Sequence, residues 1–522
     1  MNHESLAGGV TADLATAAGE LVSSLMLRPW GQVSTSIYET GRMVTLAPWL
    51  VGHLERIDYL IGAQRQDGGW GAPDGYGLVP TLSATEAILS ALARGDRGPD
   101  LERLALAAER GLRVLAAWLG DRLELPDMPA IEHIVPSLVA RINRHVGNTA
   151  GHAPLPLPDG MSYDALRRIR SWIVSGAEIP EKLLHALEIA GDAGGGAPGI
   201  RPTAIGTVGA SPAATAAWLG GRWAQETDGP VRGHLEAVVR LHGGPVPVGL
   251  PITVFERGWV LSWLVRAGVP VEAPPEMVAD LRAAIGPGGT AAGPGLPADA
   301  DTTSVALYAL SLLGAPCEPD SLWRFRSGAH FSTWLGEQGV SVSVNAHALD
   351  AFGQYAARRP AAAPRYEPTI SGLAAWIRDR QRPDGSWTDR WHASPYYATV
   401  SCTLALDAFG GDASAGAVRA AVEWVLATQR PDGSWGRWEG TAEETAYGIQ
   451  TLLLTRGGTD PRRVRAADAG QAYLTAWGGK EHPPLWHDKD LYVPLAVTRA
   501  AVIAAAHLAE RARRPSQKET VP

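Results

Sequence analysis

Cysteine is nearly absent: 522 residues contain two, Cys317 and Cys402. That excludes a disulfide framework and fits a reducing cytosol. A basic surplus is absent too, with 46 Lys and Arg against 54 Asp and Glu and a net charge of -8. No field is there to draw in nucleic acid or an anionic membrane. No run of about 18 uninterrupted apolar residues offers a transmembrane segment. The opening residues, MNHESLAGGVTADLATA, lack the charged and apolar regions of a signal peptide, so a cytoplasmic protein is expected. Phenylalanine is scarce at 5, whereas tryptophan reaches 19. Filling a core does not require that preference. An indole needs a partner for its N–H, and its face attracts cations best. Most of these rings are expected to pack, and a few to line a site.

What is present is helix. In LERLALAAERGLRVLAAWLG (101–120), VALYALSLLG (305–314) and AVRAAVEWVLATQ (417–429) apolar residues recur at three- and four-residue steps. Alternating strand patterns are few. Gly and Pro collect between the helices, as in GDAGGGAPGIRP (191–202) and GPGGTAAGPGLP (286–297), and read as loops. With no strand before them, these glycine runs are not phosphate cradles. The length predicts more than one domain, and 45% hydrophobic residues can build large cores.

One motif recurs: QRQDGGW at 64–70, QRPDGSW at 381–387 and QRPDGSW at 429–435. Each copy closes a helical segment, the mark of a repeated helical hairpin. Asp-Gly turns the chain, and Gln and Trp are expected to staple hairpins together. A second feature is PADADTTSVALYAL (297–310), where Asp299 and Asp301 precede an apolar run. Asp301 is the expected helix cap. One cap needs one carboxylate, so the second asks for another reason.

The repeats, with an Asp-x-Asp segment opening a helix, resemble the class II terpene cyclases and their squalene-hopene cyclase relatives. Further segments carry the likeness in order: SIYETGRMVTL (36–46), MPAIEHIVPSL (128–138), IPEKLLHALE (179–188), PITVFERGW (251–259), SVSVNAHALDAF (341–352), WHASPYYAT (391–399), GTAEETAYGIQTL (440–452) and LWHDKDLYVP (485–494). The resemblance implies an all-α fold of two α/α-barrel domains, called β and γ. The γ domain would be inserted at 36–220, and β would use 1–35 and 221–522. The family's Asp-x-Asp-Asp motif is matched by Asp299-Ala300-Asp301-Thr302-Thr303, with Thr302 in place of the last aspartate.

By this likeness Asp301 is the general acid and Asp299 helps hold and recharge its proton. Only a neutral carboxyl is acidic enough to protonate an isoprenoid alkene here. Burial and a second carboxylate keep such a group protonated. Hydrogen bonds to the carboxylate left behind then supply acid strength, and the family assigns Asn345 to that task. Trp259, Trp391, Tyr396, Tyr397 and Tyr492 are candidates to face the cation. His185 matches the histidine of the plant relatives' base pair, whose Asn partner has no match; Val248 stands about there. Glu132 is the candidate for Mg²⁺-linked diphosphate binding. Arg168, with its neighbours Arg167 and Arg170, and Lys489 are candidates to meet phosphate.

The expected activity is protonation-initiated cyclisation of a linear prenyl diphosphate without loss of diphosphate. Geranylgeranyl diphosphate (C20), giving a labdane- or copalyl-type bicycle, leads. Farnesyl diphosphate (C15), giving a drimenyl-type product, is the alternative. A non-catalytic helical-repeat binding protein is the remaining reading.

Overall fold

The computed structural model describes residues 4–96, 101–120, 123–147, 153–224, 229–337 and 339–513. Among these, twenty α-helices account for most of the residues, with only three two-stranded hairpins.

Six helices close into a ring. Thr253–Arg266 packs on Ala300–Leu312, then come Val342–Arg358, Pro395–Phe409, Ala442–Leu454 and Leu495–Arg513, which returns to Thr253–Arg266. They are buried nearly all round, as helices enclosed by others must be. Small residues let them approach: Ala496, Ala500, Ala501, Ala504 and Ala505 are all buried in the last of them. An outer layer of Pro275–Ala284, Ala363–Arg378, Ala415–Ala427, Pro461–Trp477 and Glu4–Leu27 covers the ring.

A smaller ring is built from Ile37–Leu46, Leu78–Arg94, Ile131–Val146, the 3-10 segment Leu187–Gly194 and Pro212–Leu219. His53–Gly62, Leu101–Gly120, Asp164–Val174 and Pro230–His242 lie outside it. The chain enters the smaller ring near Ser36, which caps its first helix by accepting the Glu39 N–H.

The three repeats act as staples with the same bonds each time. Trp70, Trp387 and Trp435 are fully buried, and each indole donates to a carbonyl of the helix before it: Leu60, Ile377 and Val425, at 2.7, 2.9 and 2.7 Å. Gln64, Gln381 and Gln429 each donate twice. One bond closes their own turn, and the other reaches the next outer helix at Ala107, Ala417 or Ala466. The turn glycines require a left-handed backbone, with φ of 95°, 97° and 87° at Gly68, Gly385 and Gly433. A Cβ on Gly385 would stand 2.5 Å from the Ala420 carbonyl oxygen, so only glycine fits.

Segment 486–494 joins the rings. His487 Nε2 lies 3.1 Å from the Tyr76 hydroxyl, and Asp490 accepts from Ser36 Oγ and the Tyr38 N–H.

Candidate active site

The hairpin Thr290–Ala291/Ala298–Asp299 runs directly into the Ala300–Leu312 helix. Asp299 has extended backbone, φ -133° and ψ 156°, and its carboxylate accepts the Thr302 N–H at 2.6 Å. Asp299 is therefore the cap, which corrects the assignment of that role to Asp301. A cap sits one residue before the first helical one, and Asp301 already lies in the first turn. Thr303 locks the junction by donating to the Asp299 carbonyl and accepting the Thr290 N–H. Thr302 is buried against Asp299.

With the cap made by its neighbour, the Asp301 side chain is released for another partner. Its Oδ1 lies 2.6 Å from Nδ1 of His347, and both groups are largely buried. Its other oxygen has no hydrogen-bond partner among the described residues. Asp299 is buried, and burial pushes its carboxyl up to about 7. The nearby Asp301 charge adds to the rise and the Thr302 N–H opposes it.

Aromatic side chains surround this pair, drawn from the N-terminal halves of the inner helices and from the hairpin Trp486–His487/Leu491–Tyr492. His347 meets Trp259 edge-on at 5.4 Å and Tyr397 at 6.2 Å. Trp259 stacks on Phe255 at 4.2 Å and donates its N–H to the Tyr397 hydroxyl at 3.1 Å. Trp486 approaches Tyr397 at 4.7 Å, Phe255 at 5.7 Å and Trp259 at 6.4 Å. Tyr397 and Tyr492 both hold their phenolic protons more tightly than an exposed tyrosine. Burial is the main cause, and the Asp301 charge contributes in each.

Against His347 and Trp259, inside the ring, is a mostly apolar cavity with a few polar groups in its wall. Trp263, Ser262 and Ser401 line it, as does the Arg266–Asp350 ion pair at 2.6 Å. Ser262 Oγ, Trp263 Nε1 and Ser401 Oγ have no protein partner. Buried polar atoms in such a space are met by water.

Several expected roles do not fit the geometry. Asn345 does not touch Asp301. Its carbonyl accepts the Phe331 N–H, and its amide donates to the Phe331 and Ser341 carbonyls at 3.0 and 2.8 Å. The side chain is spent on tying a hairpin to its helix. His347, two residues on, faces Asp301 instead, because two residues turn the helix by about 200°.

His185 is not a free base. Nδ1 is 2.5 Å from the Gly209 carbonyl and Nε2 is 2.9 Å from Asp488. Burial pulls its pKa down, but Asp488 and the Gly209 carbonyl outweigh that and raise it above the ordinary value. Both nitrogens donate in that arrangement, so neither can accept a proton.

Lys489 is not open to phosphate. Its ammonium is fully buried and bonds Glu39, Glu188 at 3.0 Å, Ser211 Oγ at 2.9 Å and the His185 carbonyl at 2.7 Å. It ties the two rings together.

Tyr396 turns outward onto Trp424 at 4.6 Å, away from the box. Trp391 packs edge-on against Trp334 at 5.0 Å and donates to Thr333 Oγ1. Thr333 in turn accepts the Ala300 N–H through its carbonyl, so Trp391 supports the start of the Ala300–Leu312 helix. Arg168 is exposed on the Asp164–Val174 helix. Glu132 is exposed in the first turn of Ile131–Val146.

The residue that sequence reasoning passed over at the acid is His347, and at the box Phe255 and Trp486. All three lie inside segments already matched to the family. Their signal was an imidazole or aromatic ring at the start of a helix or in the adjoining hairpin.

Paired rings of helices are the architecture of terpene cyclases, and residues 337–453 match the family model for the squalene-hopene cyclase C-terminal domain. An ent-copalyl diphosphate synthase from Streptomyces sp. (strain KO-3988) is 41% identical over 96% of this chain and 97% of its own. A labda-7,13-dienyl diphosphate synthase from Streptomyces clavuligerus is 39% identical over 96% and 94%. The solved ent-copalyl diphosphate synthase from Streptomyces platensis superposes with a TM-score of 0.90 at 44% identity, covering 95% of this chain and 99% of that one. The chain belongs to the class II diterpene cyclases, in the bacterial copalyl diphosphate synthase family.

Proposed function

We propose that this cyclase protonates the terminal alkene of geranylgeranyl diphosphate from Asp301 and releases a bicyclic labdane- or copalyl-type diphosphate. The observation that carries the reading is the Asp301–His347 contact, 2.6 Å long, with the second carboxyl oxygen left unbonded beside the aromatic box. An imidazole N–H donated to Oδ1 stabilises the carboxylate that forms when the other oxygen gives up its proton. That is a transition-state gain, because the charge is absent before transfer. The inner-helix N-terminus at Asp301 acts in the same sense.

The tertiary cation then meets ring faces. Trp259, Tyr397, Trp486 and Phe255 supply them without a nucleophile strong enough to trap it. The proton must afterwards be replaced. In this reading water in the cavity behind His347 re-protonates the acid pair, with Asp299 as a second store. The smaller ring is read as the inserted domain that closes the other side of the substrate space; since Pro230–His242 packs in its outer layer, it runs past the expected bounds 36–220.

Magnesium enters only as a companion of the diphosphate. Glu132 offers one carboxylate, 59% exposed and 3.3 Å from His133 Nε2. No group of three or more potential ligands stands together among the described residues. That donor set does not fit a resident ion, which would need phosphate oxygens and water to complete its shell. No step is routed through it.

The test is incubation of wild type and Asp301→Asn with C20 and C15 prenyl diphosphates, phosphatase treatment and mass spectrometry. A bicyclic C20 alcohol from wild type alone is the expected result. Turnover of the C15 substrate only supports the drimenyl reading. No turnover of either supports a binding protein, and full activity in Asp301→Asn removes Asp301 as the acid.

A further inference from the structure

Glu443 is wholly buried in the first turn of the Ala442–Leu454 helix. Its Oε1 accepts three bonds: from the Trp486 indole at 2.7 Å, the Tyr447 hydroxyl at 2.8 Å and His392 Nε2 at 3.3 Å. The tautomer of His392 follows from its other nitrogen. Nδ1 accepts the Ser394 backbone N–H at 3.0 Å, so the ring's proton sits on Nε2 and the ring is neutral. All three donors are therefore uncharged, and no Lys or Arg pairs with Glu443 among the described residues. Its Oε2 is buried with no partner.

A buried carboxylate without a counter-ion is costly unless something compensates it. Burial raises the carboxyl's affinity for a proton, and the bonds that Oε1 accepts oppose that rise. The helix N-terminus it sits in favours the anion as well. The same donors build the box. Trp486 is one of its walls, and His392 stacks flat behind Tyr397 at 4.7 Å and 18°. Helix N-termini converge on this space, and their positive ends oppose a cation there.

We propose that Glu443 is the fixed counter-charge of the cyclisation cavity, a positioning residue that acts through the Trp486 and His392–Tyr397 rings on the passing carbocation. An indole that donates to a carboxylate is richer in electron density at its face, which strengthens its attraction for a cation. The carboxylate's own field acts through the same rings, in a buried space of low dielectric. The charge also needs the ring geometry it holds, since Oε1 fixes both walls.

This rests on the reading of the box as the cyclisation site. The test separates the two. The probe is a prenyl diphosphate analogue with a tertiary ammonium nitrogen at the carbon that receives the proton's charge, compared with its neutral isostere. Wild type is expected to bind the ammonium analogue more tightly. If it does not, the box reading fails. Glu443→Gln keeps the shape and the accepting oxygen but removes the charge. It is expected to bind the neutral analogue as wild type does, to lose about tenfold or more of the ammonium preference, and to lower kcat by about 10- to 100-fold with little change in KM.

An ammonium preference and kcat equal to wild type in Glu443→Gln overturn the proposal. So does equal weakening toward both analogues, which marks a purely structural role. Should Glu443→Gln not fold, Trp486→Phe decides. It keeps a ring in the box but cuts its bond to Glu443. A several-fold drop in ammonium preference is expected, and an unchanged preference overturns the proposal.

Discussion

His347 and Asp301 come from neighbouring inner helices, 46 residues apart in sequence, and meet with Nδ1 2.6 Å from Oδ1. In the proposed mechanism the contact makes His347 the group that strengthens Asp301 as an acid. His347→Ala is expected to lower kcat by about 100-fold or more, the usual scale for a lost acid–base partner. KM should change little, because this end of the cavity receives the alkene. Steady-state kinetics on the purified variant, with circular dichroism as the fold control, check it. Retained kcat means that Asp301 draws its strength elsewhere.

Asp299 predicts a pH dependence. Its carboxyl titrates at about 7 in the fold, chiefly through burial, against an ordinary 3.8. Between those values the folded state keeps a proton that the unfolded state has lost, so Asp299 makes stability fall as pH rises from about 4 to 7. Asn caps a helix as well as Asp and carries no charge. Asp299→Asn should therefore gain on wild type across that window, by up to about 4 kcal/mol at 1.36 kcal/mol per pH unit. Thermal unfolding at several pH values reads it; parallel curves for the two proteins contradict it. The rate should respond too. Above about pH 7 an ionised Asp299 opposes charge formation on Asp301, so kcat declines in wild type and less so in Asp299→Asn.

The sequence made the helices legible because burial imposes a period that a single chain displays. The staples were legible because seven residues recurred three times. The resemblance pointed to Asp301 as the candidate acid. Side-chain direction was harder. Asn345 and His347 stand two apart on one helix, and only the path of the Phe331 hairpin decides which faces Asp301. Likewise Tyr396 and Tyr397 are adjacent, and the helix turn sends one to Trp424 and the other to Trp259. Lys489 read as a free cation because the two carboxylates that bond it, Glu188 and Glu39, lie about 300 and 450 residues away.

The staples should matter for stability and not for chemistry. Gln381→Ala leaves the Gly385 and Ala417 carbonyls without their donor. Loss of such partly buried bonds costs about 1–3 kcal/mol. Urea unfolding should show a lower midpoint, while the folded enzyme keeps its specific activity within about twofold at 25 °C. A large fall in kcat with an unchanged midpoint contradicts the structural role.

Lys489 offers the sharpest contrast between a binding and a structural reading. Three carboxylates, Glu39, Glu188 and Asp488, surround one ammonium. Burial lowers the ammonium's hold on its proton, and these three charges raise it by more. Burial also pushes Glu39 up to about 7, against the pull of Lys489. His185 meets Asp488, so the cluster is rich in acid and Glu39 and Glu188 depend on the Lys489 ammonium. Lys489→Met strips that cation and leaves buried charge unpaired, a loss of about 3–5 kcal/mol. Denaturant unfolding should register the loss, and KM of the surviving folded enzyme should stay near wild type. A residue that gripped diphosphate gives the opposite pattern, a KM raised tenfold or more with stability intact. The double variant Lys489→Met/Glu188→Gln adds a further check. Removing one carboxylate should recover part of the stability, because the damage is unpaired negative charge and not a missing phosphate ligand.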